Sequence, residues 1–403
     1  MSRLSTIVKS KAKLAALKVA ATLIAAPRPI VLLGAGSALR LCDTVSHVGV
    51  TRVLIVTDAV LVKLGVVEPI AARLRALGIE PVVFAGVTPD PTFAVVDEGM
   101  VALRAGACDA VLAVGGGSSI DAAKVIALAA TNKKTPRELI GILKSRQPAL
   151  PLFVVPTTSG TGSEVTIGAV ISDNVTHQKG LLIDPRIVPL ATAIDPLIMQ
   201  GMPRGVTADT GIDALTHALE SWMSEFANAE TDYYASAATR MIFTHLPVAY
   251  HDGKNLEARE ALGLASHYAG LALNRAGLGY VHAIAHQLGA HYGVPHGRAN
   301  AIVLPYVLEF NREASEQRLA VLARTVGVAG AGVNNRMAAE LLIARVKELL
   351  KEVNIDTHIK GIQAADFPAM VDGAFAEAHG TYAVPRYMNP EDVTDILQAL
   401  KAA

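Results

Sequence analysis

Between Pro29 and Pro156 short apolar runs alternate with helix-length segments, and beyond Asp195-Pro196 the alternation stops. The runs are Ile30 to Leu33, Arg52 to Asp58, Glu80 to Phe84, Ala110 to Val114 and Leu152 to Pro156. Strand-like runs separated by helical stretches demand βαβ units and a mostly parallel sheet, with right-handed crossovers. From Thr207 onwards the periodicity predicts helices over 207–225, 229–248, 256–275, 281–291, 336–352 and 390–402, with no convincing strand. At 403 residues the chain is long enough for two cores. We therefore expect an α/β domain over 29–200 and an all-α domain over 201–403.

Residues 1–28 form a separate extension. Arg3, Lys9, Lys11, Lys13, Lys18 and Arg28 are basic, and no acidic residue precedes Asp43. The apolar run Leu14 to Ala26 is interrupted by Lys18 and falls short of the ~20 residues a spanning helix needs. Ala20-Ala21 and Ala25-Ala26 imitate a signal cleavage site, but the expectation is an uncleaved basic amphipathic helix docked on the protein or a membrane surface. Lysine plus arginine equal aspartate plus glutamate at 36 each, which argues against a broad nucleic-acid-binding face. Cys42 and Cys108 cannot build a disulfide framework and fit a reducing cytoplasm.

Three loops carry the nucleotide chemistry. Val114-Gly115-Gly116-Gly117-Ser118-Ser119-Ile120-Asp121 follows a strand and opens a helix. Its glycines admit close backbone approach, Ser118 can cap the helix, and the free amides favour a phosphate. Ile120 stands where the usual dinucleotide fingerprint wants glycine, so this is a phosphate turn of another type. Asp58, ending its strand, is placed either to hold an adenosine ribose hydroxyl, favouring NAD over NADP, or to serve as an ordinary N-cap. Pro156 to Glu164 is hydroxyl-dense and glycine-rich, offering groups to a pyrophosphate or carboxamide. Lys179 can add a cation there. Gly34-Ala35-Gly36 is as readily a tight structural turn as a ligand contact.

The metal chemistry rests on histidines. His282 and His286 are four apart in a helical run, so their rings share a face, and His296 follows between Pro295 and Gly297, where a loop can return it. Asp213 and His217 repeat the four-residue spacing upstream. One carboxylate and three imidazoles drawn from this group suit Fe(II) or Zn(II).

The glycine turn, the Thr/Ser loop, Asp213-x-x-x-His217, Gly-x-x-His282-x-x-x-His286 and Pro-His296-Gly together resemble the iron-containing (group III) alcohol dehydrogenases, from about Pro29 to the C-terminus. The resemblance implies a dehydroquinate synthase-like fold, an N-terminal dinucleotide-binding α/β domain with a C-terminal helical domain and the active site in the cleft. It implies metal ligands Asp213, His217, His282 and His296, with His286 beside the nicotinamide as the catalytic histidine. Cofactor contacts carry over to Asp58, Gly116, Gly117, Ser118, Asp121, Thr157, Thr158, Thr161, Thr166 and Lys179. The activity implied is hydride transfer between a primary alcohol or aldehyde and NAD(H) in a homodimer or larger homo-oligomer. The alternatives are a polyol or hydroxy-acid dehydrogenase of the same superfamily, or a dehydroquinate synthase-like lyase. The lyase needs a dense cationic cluster for a phosphorylated substrate, and Arg204, Arg275 and Arg298 do not form one in the sequence.

Overall fold

The computed structural model describes residues 9–14, 27–174 and 179–401. Of the expected N-terminal helix, residues 9–14 are helical, with Ser10 and Leu14 buried. The rest of it, as well as His177, lies outside the described residues. Two compact units result. One contains 27–202 and 253–267; the other contains 203–252 and 268–401 together with 9–14.

The first unit is built on strands β1 (Ile30–Leu33), β2 (Arg52–Val56), β3 (Glu80–Phe84), β4 (Ala110–Gly115), β5 (Gly141–Ile142), β6 (Leu152–Pro156), β7 (Gly168–Ser172), β8 (Lys179–Ile183) and β9 (Ala191–Ile194). Six of them pair in parallel in the order β1-β9-β6-β4-β2-β3. Alternate residues of the central strands enter two different cores. Val53, Ile55, Leu112 and Val114 pack with Leu41, Ile70 and Leu74, whereas Leu54, Val56, Val111 and Ala113 pack with Val96 and Ile126. Cover on both faces explains why β2, β4 and β6 read as continuous apolar runs.

The strand order also fixes where a ligand belongs. From β2 the chain runs outward to the edge strand β3, then returns past β2 to β4 and continues the other way to β6 and β9. Open α/β sheets bind ligands outside the carboxyl ends of the two strands that flank such a reversal. Here those ends carry Asp58, after β2, and Gly115 to Gly117, after β4.

Four strands of this unit were not foreseen. β9 is a four-residue, alanine-rich strand that slots between β1 and β6. The small mixed sheet β5-β8-β7 includes a two-residue strand. β5 and β9 are too short to show a period.

The second unit is helical. Its described residues hold no ladder beyond a single bridge between Ile359 and Lys401. The helices that matter are α3 (Arg204–Met223), α4 (Tyr280–Tyr292), α5 (His296–Asn311) and α6 (Phe367–Ala378), numbered after α1 (Ser37–His47) and α2 (Gly117–Asn132) of the first unit. α3 packs on α5, and α4 packs on both α5 and α6. The expected return of His296 to the side of His282 is made through the link 293–295, but His296 itself does not lie in the loop. Pro295, with φ −54° and ψ 137°, caps a new helix of which His296 is the first residue.

Candidate metal and cofactor sites

Asp213 and His217 lie one turn apart on α3, His282 lies on α4, and His296 opens α5. Their ligand atoms all lie within 4.8 Å of one another. Around Asp213 Oδ1 the imidazole Nε2 atoms stand at 3.8 Å (His217), 3.9 Å (His282) and 3.4 Å (His296). The His217 and His282 rings stack with centroids 4.8 Å apart.

The electrostatics suit a cation. Burial pushes the Asp213 carboxyl up, but His217, His296 and His282 outweigh it and hold it well below the usual carboxylate range. Burial holds His217 down to about 4 and His282 well below its ordinary value, so both rings offer lone pairs at neutral pH. Acceptors converging in this way, with a buried carboxylate among them, fit a bound divalent ion. The amide of Asn300, four residues after His296 on α5, donates to Asp213 Oδ1 at 2.7 Å. Its Nδ2 also lies 3.1 Å from His282 Nε2 and 3.2 Å from His296 Nε2, while its Oδ1 is buried with no partner among the described residues.

The ligands are held from behind. Glu220, seven residues after Asp213 on the same face of α3, takes His282 Nδ1 at 2.6 Å on one oxygen and the Val281 amide at 2.7 Å on the other. The first bond turns His282 Nε2 towards Asp213; the second caps the start of α4, which lacks a cap of its own. A side chain at Gly279 would put its Cβ 2.8 Å from Glu220 Oε1, so glycine there admits the carboxylate. Burial raises the Glu220 carboxyl to about 7.

His286, one turn beyond His282, is not in the cluster of four. Its ring stacks on His296 with centroids 5.2 Å apart, and its Nδ1 lies 2.7 Å from Glu377 Oε1. Sequence reasoning missed Glu220, Asn300 and Glu377. Glu220 carried a signal, because it repeats the helical spacing of Asp213 and His217, whereas the spacing of Asn300 from His296 has meaning only once α5 is known. Glu377 carried none, since it reaches His286 from α6.

In the other unit, the loops after β2, β4 and β6 converge at the strand reversal. Thr157 N donates to Gly115 O at 3.0 Å, laying the Thr/Ser loop against the glycine turn. A Cβ on Gly116 would lie 3.2 Å from Thr158 Oγ1, and one on Gly117 2.7 Å from Thr161 Cγ2. α2 starts at Gly117 without a side-chain cap, so its first amides face the turn. The expected capping by Ser118 is corrected: the helix begins two residues earlier, with Gly116 as its N-cap, and Ser118 sits inside the first turn.

Asp58 does serve as an N-cap, its Oδ1 accepting from Val60 N and Leu61 N at 2.8 and 2.9 Å. Asp121 accepts from Ser163 Oγ at 2.5 Å and Val170 N at 2.9 Å. Thr166 bonds the fully buried Lys124, whose ammonium also reaches Ser163 Oγ and the carbonyls of Thr166 and Gly168. Asp121 and Thr166 thus brace the loop. Lys179 opens β8 and lies 3.7 Å from Asp90. At Gly34-Ala35-Gly36 the structural reading prevails. The buried Asp195 carboxylate receives Gly36 N at 3.2 Å, Ala38 N at 3.0 Å and Leu197 N at 3.0 Å, filling the start of α1.

Comparison with known proteins agrees with this geometry. Residues 28–196 match the family described as iron-containing alcohol dehydrogenase, and 207–401 its C-terminal counterpart. The chain is 40% identical over 354 residues to a 1,3-propanediol dehydrogenase of Citrobacter freundii, covering 87% of this chain and 91% of that one. It is 35% identical over 372 residues to an NAD-dependent methanol dehydrogenase of Bacillus methanolicus, covering 92% and 97%. A crystal structure of 1,3-propanediol oxidoreductase superposes with a TM-score of 0.90 at 37% identity, covering 93% of this chain and 99% of that one.

Proposed function

We propose, from the premise that this chain belongs to the iron-containing alcohol dehydrogenase family, that it interconverts a primary alcohol and its aldehyde with NAD(H). The observation that carries the reading is the cluster of Asp213, His217, His282 and His296. We take these four as the ligands of Fe(II) or, with the same donor set, Zn(II). When bound, the cation supplies positive charge that lowers the pKa of an alcohol, and the dinucleotide supplies the hydride acceptor.

The chain's own residues do the rest. Asp213 contributes the single negative charge among the ligands, so a divalent ion there keeps net positive charge. Glu220 fixes the tautomer of His282. Gly116, Gly117 and Ser118 present amides to a phosphate at the start of α2, while Thr157, Thr158 and Thr161 line the opposing loop. Asp121 and Thr166 hold that loop in place, and Lys179 adds positive charge. The Asp58 carboxylate would repel a 2′-phosphate, which favours NAD over NADP. His286 orients the alcohol. Methanol and 1,3-propanediol, named for two relatives, support a primary alcohol as substrate.

We assign nucleotide binding to 29–200 and metal binding to 201–403, in a homo-oligomeric cytoplasmic enzyme. No described helix is long and apolar enough to cross a membrane, and both cysteines are buried and free. Any membrane contact would be peripheral, through the basic segment 1–28.

The test is NADH formation with ethanol, butanol, 1,2-propanediol and glycerol, using metal-stripped protein alone and after Fe(II) or Zn(II) is returned. Activity on the primary alcohols, restored by one ion, is the expected result. Absence of NADH with all four, although metal and nucleotide both bind, would refute the alcohol reading and point to a hydroxy acid or to lyase chemistry.

A further inference from the structure

His286 is held by a group that the ligand set does not use. Glu377, near the end of α6, receives His286 Nδ1 at 2.7 Å on Oε1, and the Tyr382 hydroxyl donates to the same oxygen. The chain turns back between Glu377 and Tyr382 at Gly380, whose φ of +75° is costly for any other residue. That turn lets two side chains five residues apart meet at one atom. Residues 9–14 pack on it: a Cβ at Gly380 would lie 3.0 Å from Lys13 Cδ.

Tyr382 is buried, and its hydroxyl is pushed well above its ordinary value, by burial first and then by the Glu377 charge. It therefore remains a donor. Burial pushes the Glu377 carboxyl up, but the bonds from His286 and Tyr382 hold it below the usual range, so it remains an acceptor. A neutral imidazole that donates from Nδ1 to a carboxylate must carry its lone pair on Nε2. Stacking on His296 fixes the ring plane as well. Orientation and tautomer are thus both set from one side of the ring.

We propose that Glu377 and Tyr382 are positioning residues that lock His286 with Nε2 as an acceptor for the substrate hydroxyl. The proposal rests on the dehydrogenase reading for its substrate. The lock itself is a property of the protein. Glu377 hydrogen-bonds His286 and Tyr382 and none of the four metal ligands, and reaches His282 only through its charge, so its loss should largely spare metal binding and depress turnover.

The test uses Glu377→Gln, Glu377→Asp and Tyr382→Phe in the metal-loaded enzyme, with metal content, kcat and KM measured for each. Ring-nitrogen NMR on histidine-labelled protein, with His286→Gln to assign the signal, reports the tautomer without turnover. Gln can turn an amide hydrogen to Nδ1 and reverse the tautomer. Glu377→Gln should therefore keep its metal, move the His286 signals and lose on the order of 10²-fold in kcat, with KM changed far less. Asp keeps the charge and should recover part of that loss. Tyr382→Phe removes one donor and should cost several-fold. A Glu377→Gln enzyme with unchanged ring signals, or with kcat within twofold of the parent, overturns the proposal. Loss of metal in that variant also overturns it, since Glu377 would then serve the ligands. Should Glu377→Gln fail to fold, an unaltered kcat in Tyr382→Phe decides against the lock. Absence of NADH in the parent enzyme sinks the dehydrogenase reading alone, and the ring-nitrogen signals still judge the lock.

Discussion

Glu220→Gln separates two jobs that one carboxylate performs. Glu220 accepts from His282 Nδ1 at 2.6 Å and from Val281 N at 2.7 Å, one on each oxygen. Glutamine has the same size and therefore leaves no cavity, but it has one acceptor and one donor. Turned to keep the Val281 bond, it offers NH₂ to His282 Nδ1. The ring must then carry its hydrogen on Nε2, the atom that faces Asp213. Turned the other way, it sets NH₂ against the Val281 amide and uncaps α4. The first loss is that of an outer-shell partner of a metal ligand, about 10–100-fold in affinity, or ~1.4–2.7 kcal/mol. The second is a helix cap, roughly 0.5–2 kcal/mol of stability with or without metal. Titration of the metal-free variant with Zn(II) against a chromophoric chelator measures the first, and melting of the metal-free protein measures the second. At least one must fall. A variant with parental affinity and parental melting temperature would refute the view that Glu220 serves both groups.

Gly117→Ala places a methyl 2.7 Å from Thr161 Cγ2 and should force the Thr/Ser loop off the glycine turn. NADH affinity measured by fluorescence should fall by on the order of 10-fold, about 1.4 kcal/mol, with metal content unchanged; parental affinity would show that the loop contact is dispensable. Lys124 gives a pH signature. Burial lowers it from 10.5 to about 8, so between those values the unfolded chain holds a proton that the folded chain has released. Its favourable contribution is complete above the unfolded value and is lost as pH falls through about 8. Relative to Lys124→Met, urea-unfolding stability should rise with pH by about 1 kcal/mol per unit through this window, and a flat difference would contradict the assignment.

The sequence disclosed those features that repeat a period or end a strand. Five of the six strands of the large sheet were legible. For β2, β4 and β6 burial on both faces makes each a continuous apolar run, and the edge strands β1 and β3 stay apolar though more exposed. Ala191 to Ile194 is too short and alanine-rich to stand out. α5, which has Pro305 inside it, is not among the helices that the periodicity predicts. With α5 unseen, the position of His296 was legible only as a loop, and Asn300 had no helix to sit on. The pairs Asp213/His217 and His282/His286 were visible because four-residue spacing is local information. Glu377 meets His286 across 91 positions of chain, and no local pattern encodes that. Asp58 shows the converse limit: one residue type suits both a ribose and a cap, and only its bonds to Val60 and Leu61 show that the cap is made.

The Asp195 carboxylate at the start of α1 bears on how such a unit could be re-engineered. Repeating a strand–turn–helix module copies its anion receptor along with its backbone. Here the start of α1 already holds an internal tenant, bound by the amides of Gly36 and Ala38 and shut off from solvent. Moving the nucleotide to the β1 end would have to begin by evicting Asp195, and grafting glycines there would achieve nothing while it stays.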